Sequence, residues 1–152
     1  MKISRQRLIP FLTESLGIES IHRQPTEREV DAAERFLSLD YITIEDVVAF
    51  VGIYAPGAGL RARLGMNVKV GDHYPMPGGM QVRDQLMNIL ADVSTANPYI
   101  THIEYETLHP FTDCNGRSGR MIWLWQMLKQ DRLIAGLSFL HSWYYSSLEN
   151  SH

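Results

Sequence analysis

His109-Pro110-Phe111-Thr112-Asp113-Cys114-Asn115-Gly116-Arg117-Ser118-Gly119-Arg120 stands directly before the most apolar run of the chain, Met121 to Leu128. A helix over that run is apolar on nearly every side, so it belongs inside the fold rather than on its surface. The residues before it, Asp113 to Gly116, are types that cap helices and tolerate unusual backbone angles. A turn feeding a buried helix aims its free backbone N–H groups at one spot. There the helix dipole and the unsatisfied donors together make an anion site. Arg117 and Arg120 are three apart and share a face of the first helical turn. Two forked guanidiniums suit a polyphosphate better than a single carboxylate. Asp113 offers a hard oxygen of the kind Mg²⁺ takes when substrate phosphates also hold it. His109, with an unperturbed pKa of about 6.5, can accept a proton from an attacking hydroxyl at neutral pH. The stretch reads as a phosphate site with a base beside it.

Working outward, 152 residues at 45% apolar content are enough for one compact domain with a core and too few for two ordinary ones. A formal charge of −3 and a pI near 6.0 exert no global pull toward nucleic acid or an anionic membrane, so phosphate binding has to be local. The single cysteine excludes an intramolecular disulfide framework. No apolar run approaches the roughly 20 residues that cross a bilayer. The N-terminal residues lack the apolar region and cleavage site of a signal peptide, so a reducing cytoplasm is the expected setting.

Residues 3–18 carry Ile3, Leu8, Phe11, Leu12 and Leu16 as an uneven helical stripe, with Pro10 either kinking the helix or lying in its first turn. Thr26-Glu27-Arg28-Glu29 is a capping box opening a helix over about 26–38. Thr43 caps the next, with Ile44, Val47, Val48 and Val51 as its buried face. From Ala55 to Gly79 the periodicity disappears as Gly and Pro accumulate. Within that segment, Asn67 to Val70 can form a strand that turns at Gly71-Asp72 and returns through His73-Tyr74; the alternative is an ordinary surface excursion, and His73 reads as a surface residue rather than a ligand. Val82, Leu86, Ile89, Leu90 and Val93 mark an amphipathic helix. Asn97-Pro98 opens another, with Ile100, Ile103, Thr107 and Leu108 facing one way, and it delivers the chain to His109. His102, about two turns before His109, reads as a core histidine satisfied by hydrogen bonds rather than a ligand. Leu137, Leu140, Tyr144 and Leu148 are spaced for a closing helix. Trp143, Tyr144 and Tyr145 there make either half-buried packing or an aromatic surface for a homo-oligomer.

Residues 109–120 resemble the signature of the Fic family (filamentation induced by cAMP), HPFx(D/E)GNGRxxR, at every fixed position but one. The departure is Cys114, where the family has Gly; a positive φ there would strain a residue with a Cβ. The related Doc toxins, which transfer phosphate, have Ala at this place but lack the Gly-Arg after Asn that this chain keeps, which favours AMP transfer. The resemblance implies an all-α fold, a compact helical bundle with a small β-hairpin flap over residues 60–79, as one domain spanning 1–152. The implied activity is a protein adenylyltransferase that moves AMP from ATP, with Mg²⁺, to a Ser, Thr or Tyr hydroxyl of a target protein docked as a strand on the flap. By position, His109 would be the base and Asp113 the metal ligand. Cys114, Asn115 and Gly116 would form the anion nest, and Arg117 and Arg120 would hold the phosphates. Phe111 would anchor the loop and Pro110 stiffen it.

Ser15-Leu16-Gly17-Ile18-Glu19-Ser20 resembles the family's inhibitory motif, (S/T)xxxE(G/N), apart from Ser20. The implied role of residues 1–20 is an inhibitory helix in which Ser15 and Glu19 act, Glu19 competing with phosphate for Arg120. Three other readings share these residues. A metal hydrolase could use His102, Glu106, His109 and Asp113, but two arginines beside the metal oppose it. A degenerate module could bind nucleotide or protein without catalysis, Cys114 being the lesion. A third enzyme would run in the other direction, with Glu19 positioning water to remove AMP.

Overall fold

The computed structural model describes residues 2–133 and 138–140. The region of the expected closing helix, including Leu137, Trp143, Tyr144, Tyr145 and Leu148, lies outside the described residues. The described fold is all-α, with helices α1 (Arg5–Ile18), α2 (Glu27–Leu37), α3 (Ile44–Tyr54), α4 (Met80–Ala91), α5 (Pro98–Leu108) and α6 (Asn115–Lys129). No helix among the described residues is long and apolar enough to cross a membrane.

The helix starts follow from local chemistry. Thr26 and Thr43 both close capping boxes, with Glu29 and Asp46 returning the bond to the cap backbone. Asn97 accepts from the N–H groups of Tyr99 and Ile100, and Pro98 takes the first helical position. Pro10 falls in the second turn of α1, one turn later than its favoured place, and its ring is exposed.

α1 ends in a Schellman motif. Ile21 N–H reaches Leu16 O at 3.0 Å, Ser20 N–H reaches Gly17 O at 2.9 Å, and Ser20 takes φ 62°. A glycine or asparagine is favoured at that place because of this left-handed backbone.

α6 runs through the middle of the fold and touches α1, α2, α3 and α5, which explains why almost every one of its side chains is buried. Several of its polar atoms are tied down on the way. Trp125 Nε1 donates to Leu39 O at 2.9 Å, and Gln126 Nε2 donates to Val93 O at 2.9 Å and Thr101 Oγ1 at 3.1 Å. Around it, Phe50 stacks on Tyr54 and meets Phe36 at a tilt, while Phe11 lies parallel to Trp123 at 6.2 Å.

Three expected details differ. On α3, Val48 is exposed at 41% and Phe50 and Tyr54 complete the buried face instead. On α5, Ile100, Ile103 and Thr107 face outward, and of the four residues expected to face the core only Leu108 does. The inward positions are Thr101, His102 and Tyr105; the polar atoms of two of them find partners on α6, Tyr105 Oη lying 2.6 Å from Ser118 Oγ and Thr101 receiving Gln126. In the 60–79 segment there is no strand; residues 70 and 73 make a single antiparallel bridge across Gly71-Asp72, with Gly71 at φ 58°. The turn therefore falls at the expected place without a ladder on either side.

Candidate active site

α5 and α6 are joined by a loop whose two ends both adopt the left-handed conformation, His109 at φ 51° and Cys114 at φ 70°. Between them the loop is held rigidly. Phe111 is fully buried and pairs with Leu60 as an antiparallel bridge. Asn115 clasps the same residue with both ends of its amide, accepting from Phe111 N and donating to Phe111 O, each at 2.9 Å. Its side chain therefore shapes the loop from beneath.

Cys114 is the N-cap of α6, but its thiol makes no cap bond; it is buried, and burial pushes its pKa up to about 11. Its own N–H is taken by Asp113 Oδ1 at 2.7 Å. Asn115, Gly116 and Arg117 occupy the first turn of α6, where amides have no intrahelical acceptor. Arg117 is buried beside them. Its Nη1 donates to Tyr54 O at 3.1 Å, its Nη2 lies 3.6 Å from Asp113 Oδ1, and its Nε finds no acceptor among the described residues.

Arg120 lies one turn further along and is only 4% exposed. Nε donates to Ser15 Oγ at 2.8 Å, and Nη2 donates to Ser15 O at 2.9 Å and Glu19 Oε1 at 2.8 Å. A Cβ on Gly116 would collide with Glu19 Oε1 and lie 2.9 Å from Arg120 Nη1, so the Glu19 carboxylate rests against the first turn of α6 itself.

Glu19, Gly116, Arg120, Glu106 and His109 line one open cavity of about 610 Å³, with the Val70–His73 turn at its edge. The His109 ring is half-buried and faces this space. Nδ1 lies 3.3 Å from Glu106 O; donating there leaves Nε2 as the acceptor. Burial lowers the His109 pKa below the usual histidine value, with Arg61 and His73 acting in the same direction, so the ring is neutral at pH 7. His102 is buried, its Nε2 3.8 Å from Glu106 Oε1, and burial pushes it down to about 4; it carries no charge at neutral pH. His73 is exposed, and its Nε2 lies 3.1 Å from Thr107 O, which fastens the turn to the end of α5.

The fit of this loop to a magnesium-bound polyphosphate rests on Asp113. Its side chain is 69% exposed, and one oxygen is engaged by Cys114. The carboxylate suits a hydrated Mg²⁺ that takes its other ligands from phosphates. No cluster of three or more His, Cys, Asp or Glu side chains arranged to hold a metal occurs among the described residues. The set His102, Glu106, His109 and Asp113 does not converge.

Sequence reasoning passed over Arg61. It is fully buried in a glycine-rich segment without periodicity, yet it donates to four carbonyls: His109 O at 2.7 Å, Leu108 O at 2.9 Å, Met66 O at 2.9 Å and Met76 O at 2.8 Å. Burial lowers its pKa, and the four acceptors compensate the buried charge. It caps the end of α5 and fixes the backbone that carries His109. The only sequence signal was a charged residue among glycines.

No protein-family model matches the chain, and no curated protein matches it either.

Proposed function

We propose that this chain is a protein adenylyltransferase of the Fic type, moving AMP from ATP to a Ser, Thr or Tyr hydroxyl of a target protein and held inactive by Glu19. The observation that carries this reading is that His109, Gly116 of the first turn of α6, Glu19 and Arg120 line one cavity, with Ser15 holding Arg120 beside it. Residues 15–20 and 109–120 resemble two separate motifs of that family, and these two stretches are the ones in contact.

In the proposed reaction, Nε2 of neutral His109 takes the proton of the target hydroxyl. The oxygen forms a bond to the α-phosphorus as the α–β anhydride bond breaks, and pyrophosphate leaves with the electron pair. First-turn amides and Arg117 hold the phosphate oxygens, and Arg120 receives the terminal phosphate once Glu19 has left it. When bound on Asp113, Mg²⁺ would neutralise charge on the phosphates. The residues contribute chiefly positioning and fixed charge. The target would lie along the Val70–His73 turn, the small counterpart of the family's flap, using backbone hydrogen bonds that leave side-chain choice loose.

Cys114 favours no separate, inactive reading: its backbone adopts the left-handed angle that the motif's glycine would, and α6 starts normally after it. The test is incubation with ATP labelled at the α-phosphorus and Mg²⁺. Weak self-labelling in wild type, more in Glu19→Gly and none in His109→Ala is the expected pattern; no label in any of the three would overturn the proposal.

A further inference from the structure

Glu106 is the carboxylate in this cavity that the transfer chemistry leaves unused. Its backbone carbonyl faces Nδ1 of His109, three residues on, while its side chain turns toward α6. Oε1 is buried there and finds no hydrogen-bond partner among the described residues. A Cβ on Gly119 would lie 2.6 Å from it, which shows how closely the carboxyl is wedged against the first turns of α6. The charged and titratable groups around it are Arg120 from α6, Glu19 from the end of α1, and His102 and His109 from α5 and its cap. Burial pushes the Glu106 carboxyl up to about 7, Glu19 adds to the effect and Arg120 opposes it. His102 is neutral throughout that range and supplies no countercharge.

We propose that Glu106 couples anion binding to proton uptake: a polyphosphate that replaces Glu19 on Arg120 is retained together with protonated Glu106 and repelled by its ionised form. This rests on the nucleotide reading of the cavity. The step adds one solvent proton to one carboxylate and makes or breaks no other bond. Its physical basis is that a polyphosphate brings more negative charge to Arg120 than the single carboxylate it displaces. The proton affinity of the neighbouring acid therefore rises on binding. At pH below the titration of Glu106 the site accepts the anion readily; above it, the ionised carboxylate repels the anion.

The experiment is calorimetric titration of the Glu19→Gly protein with α,β-methylene ATP and Mg²⁺, in two buffers of different ionisation heat and at pH 6.5 and 8.5. Expected are net proton uptake and an affinity that falls about tenfold across that window. In the Glu19→Gly, Glu106→Gln double variant the uptake should drop and the affinity should flatten. The difference between the two proteins removes the analogue's own titration. Equal uptake in both overturns the role of Glu106 and leaves the nucleotide reading standing; no binding at either pH overturns both. Carbon NMR of the Glu106 carboxyl in the single variant gives a second readout, and a titration midpoint that fails to rise with the analogue present also overturns the coupling.

Discussion

Ser15 and Arg120, 105 positions apart, meet through two hydrogen bonds: Nε of the guanidinium reaches the serine hydroxyl at 2.8 Å and Nη2 its carbonyl at 2.9 Å. One of these bonds depends on the side chain and one on the backbone of α1. The backbone bond positions the helix end so that Glu19, one turn later, closes on the same guanidinium. Ser15→Ala should therefore loosen the clamp without releasing it. Loss of one charge-assisted hydrogen bond is expected to weaken it by about 1 to 2 kcal/mol. Self-labelling should rise about fivefold or more, but remain below that of Glu19→Gly. Equal rates in Ser15→Ala and wild type would show that the serine hydroxyl carries no part of the restraint.

The pH profile of turnover follows from His109. At saturating nucleotide and target, in the Glu19→Gly background, the base must be unprotonated. Since burial and Arg61 hold its pKa below the ordinary histidine value, the rate should be level at neutral pH and above, and should fall about tenfold per unit only on the acid side of that lowered pKa. A midpoint above neutral in kcat would contradict the assignment of His109 as the base.

Left-handed backbone at Ser20 and Cys114 has a measurable consequence for stability. Both residues carry a Cβ at positive φ, at 62° and 70° respectively. Ser20→Gly should stabilise the fold by about 1 kcal/mol, raising the urea midpoint at unchanged slope. Cys114→Gly gains the same relief but gives up a buried thiol, so its gain should be smaller. A lower midpoint in Ser20→Gly would mean that chain entropy in the unfolded state outweighs the strain.

The helix framework was legible in the sequence where capping chemistry is local. Thr26 with Glu29, Thr43, and Asn97 with Pro98 announce α2, α3 and α5 before any tertiary contact is known, and the run after Arg120 announces its own burial. The inward face of α5 was not legible. Thr101, His102 and Tyr105 look less apolar than Ile100 and Ile103, and the hydrogen bonds that α6 offers Thr101 and Tyr105 make the burial of those two favourable. The missing ladder in the 60–79 segment has a similar origin. Asn67 Oδ1 accepts from Gly78 N, and Arg61 takes the carbonyls of Met66 and Met76, so side chains satisfy backbone groups that strand pairing would otherwise satisfy. Of the site, the contact between Glu19 and Arg120 corresponds to the pairing expected from the two motifs, whereas Arg61 belongs to no motif and Glu106 entered the sequence reading only as one member of a metal set that the described residues do not bring together.

Arg61→Met is the sharpest test of that unforeseen residue. The variant keeps much of the volume but leaves four carbonyls, one buried and three part-buried, without their donor, an expected loss of about 3 kcal/mol in unfolding free energy. Chemical denaturation measures it, and a loss below about 1 kcal/mol would show that water replaces the guanidinium easily.

The same guanidinium has a kinematic consequence. It grips Met66 and Met76 on one side and Leu108 and His109 on the other, so the overhanging turn and the imidazole form a single jig. A target side chain, on the proposed reading, would be gauged against a template set before its arrival. On the proposed reaction, the far end of α1 would be the part that withdraws from Arg120, while the frame tied by Arg61 would stay still.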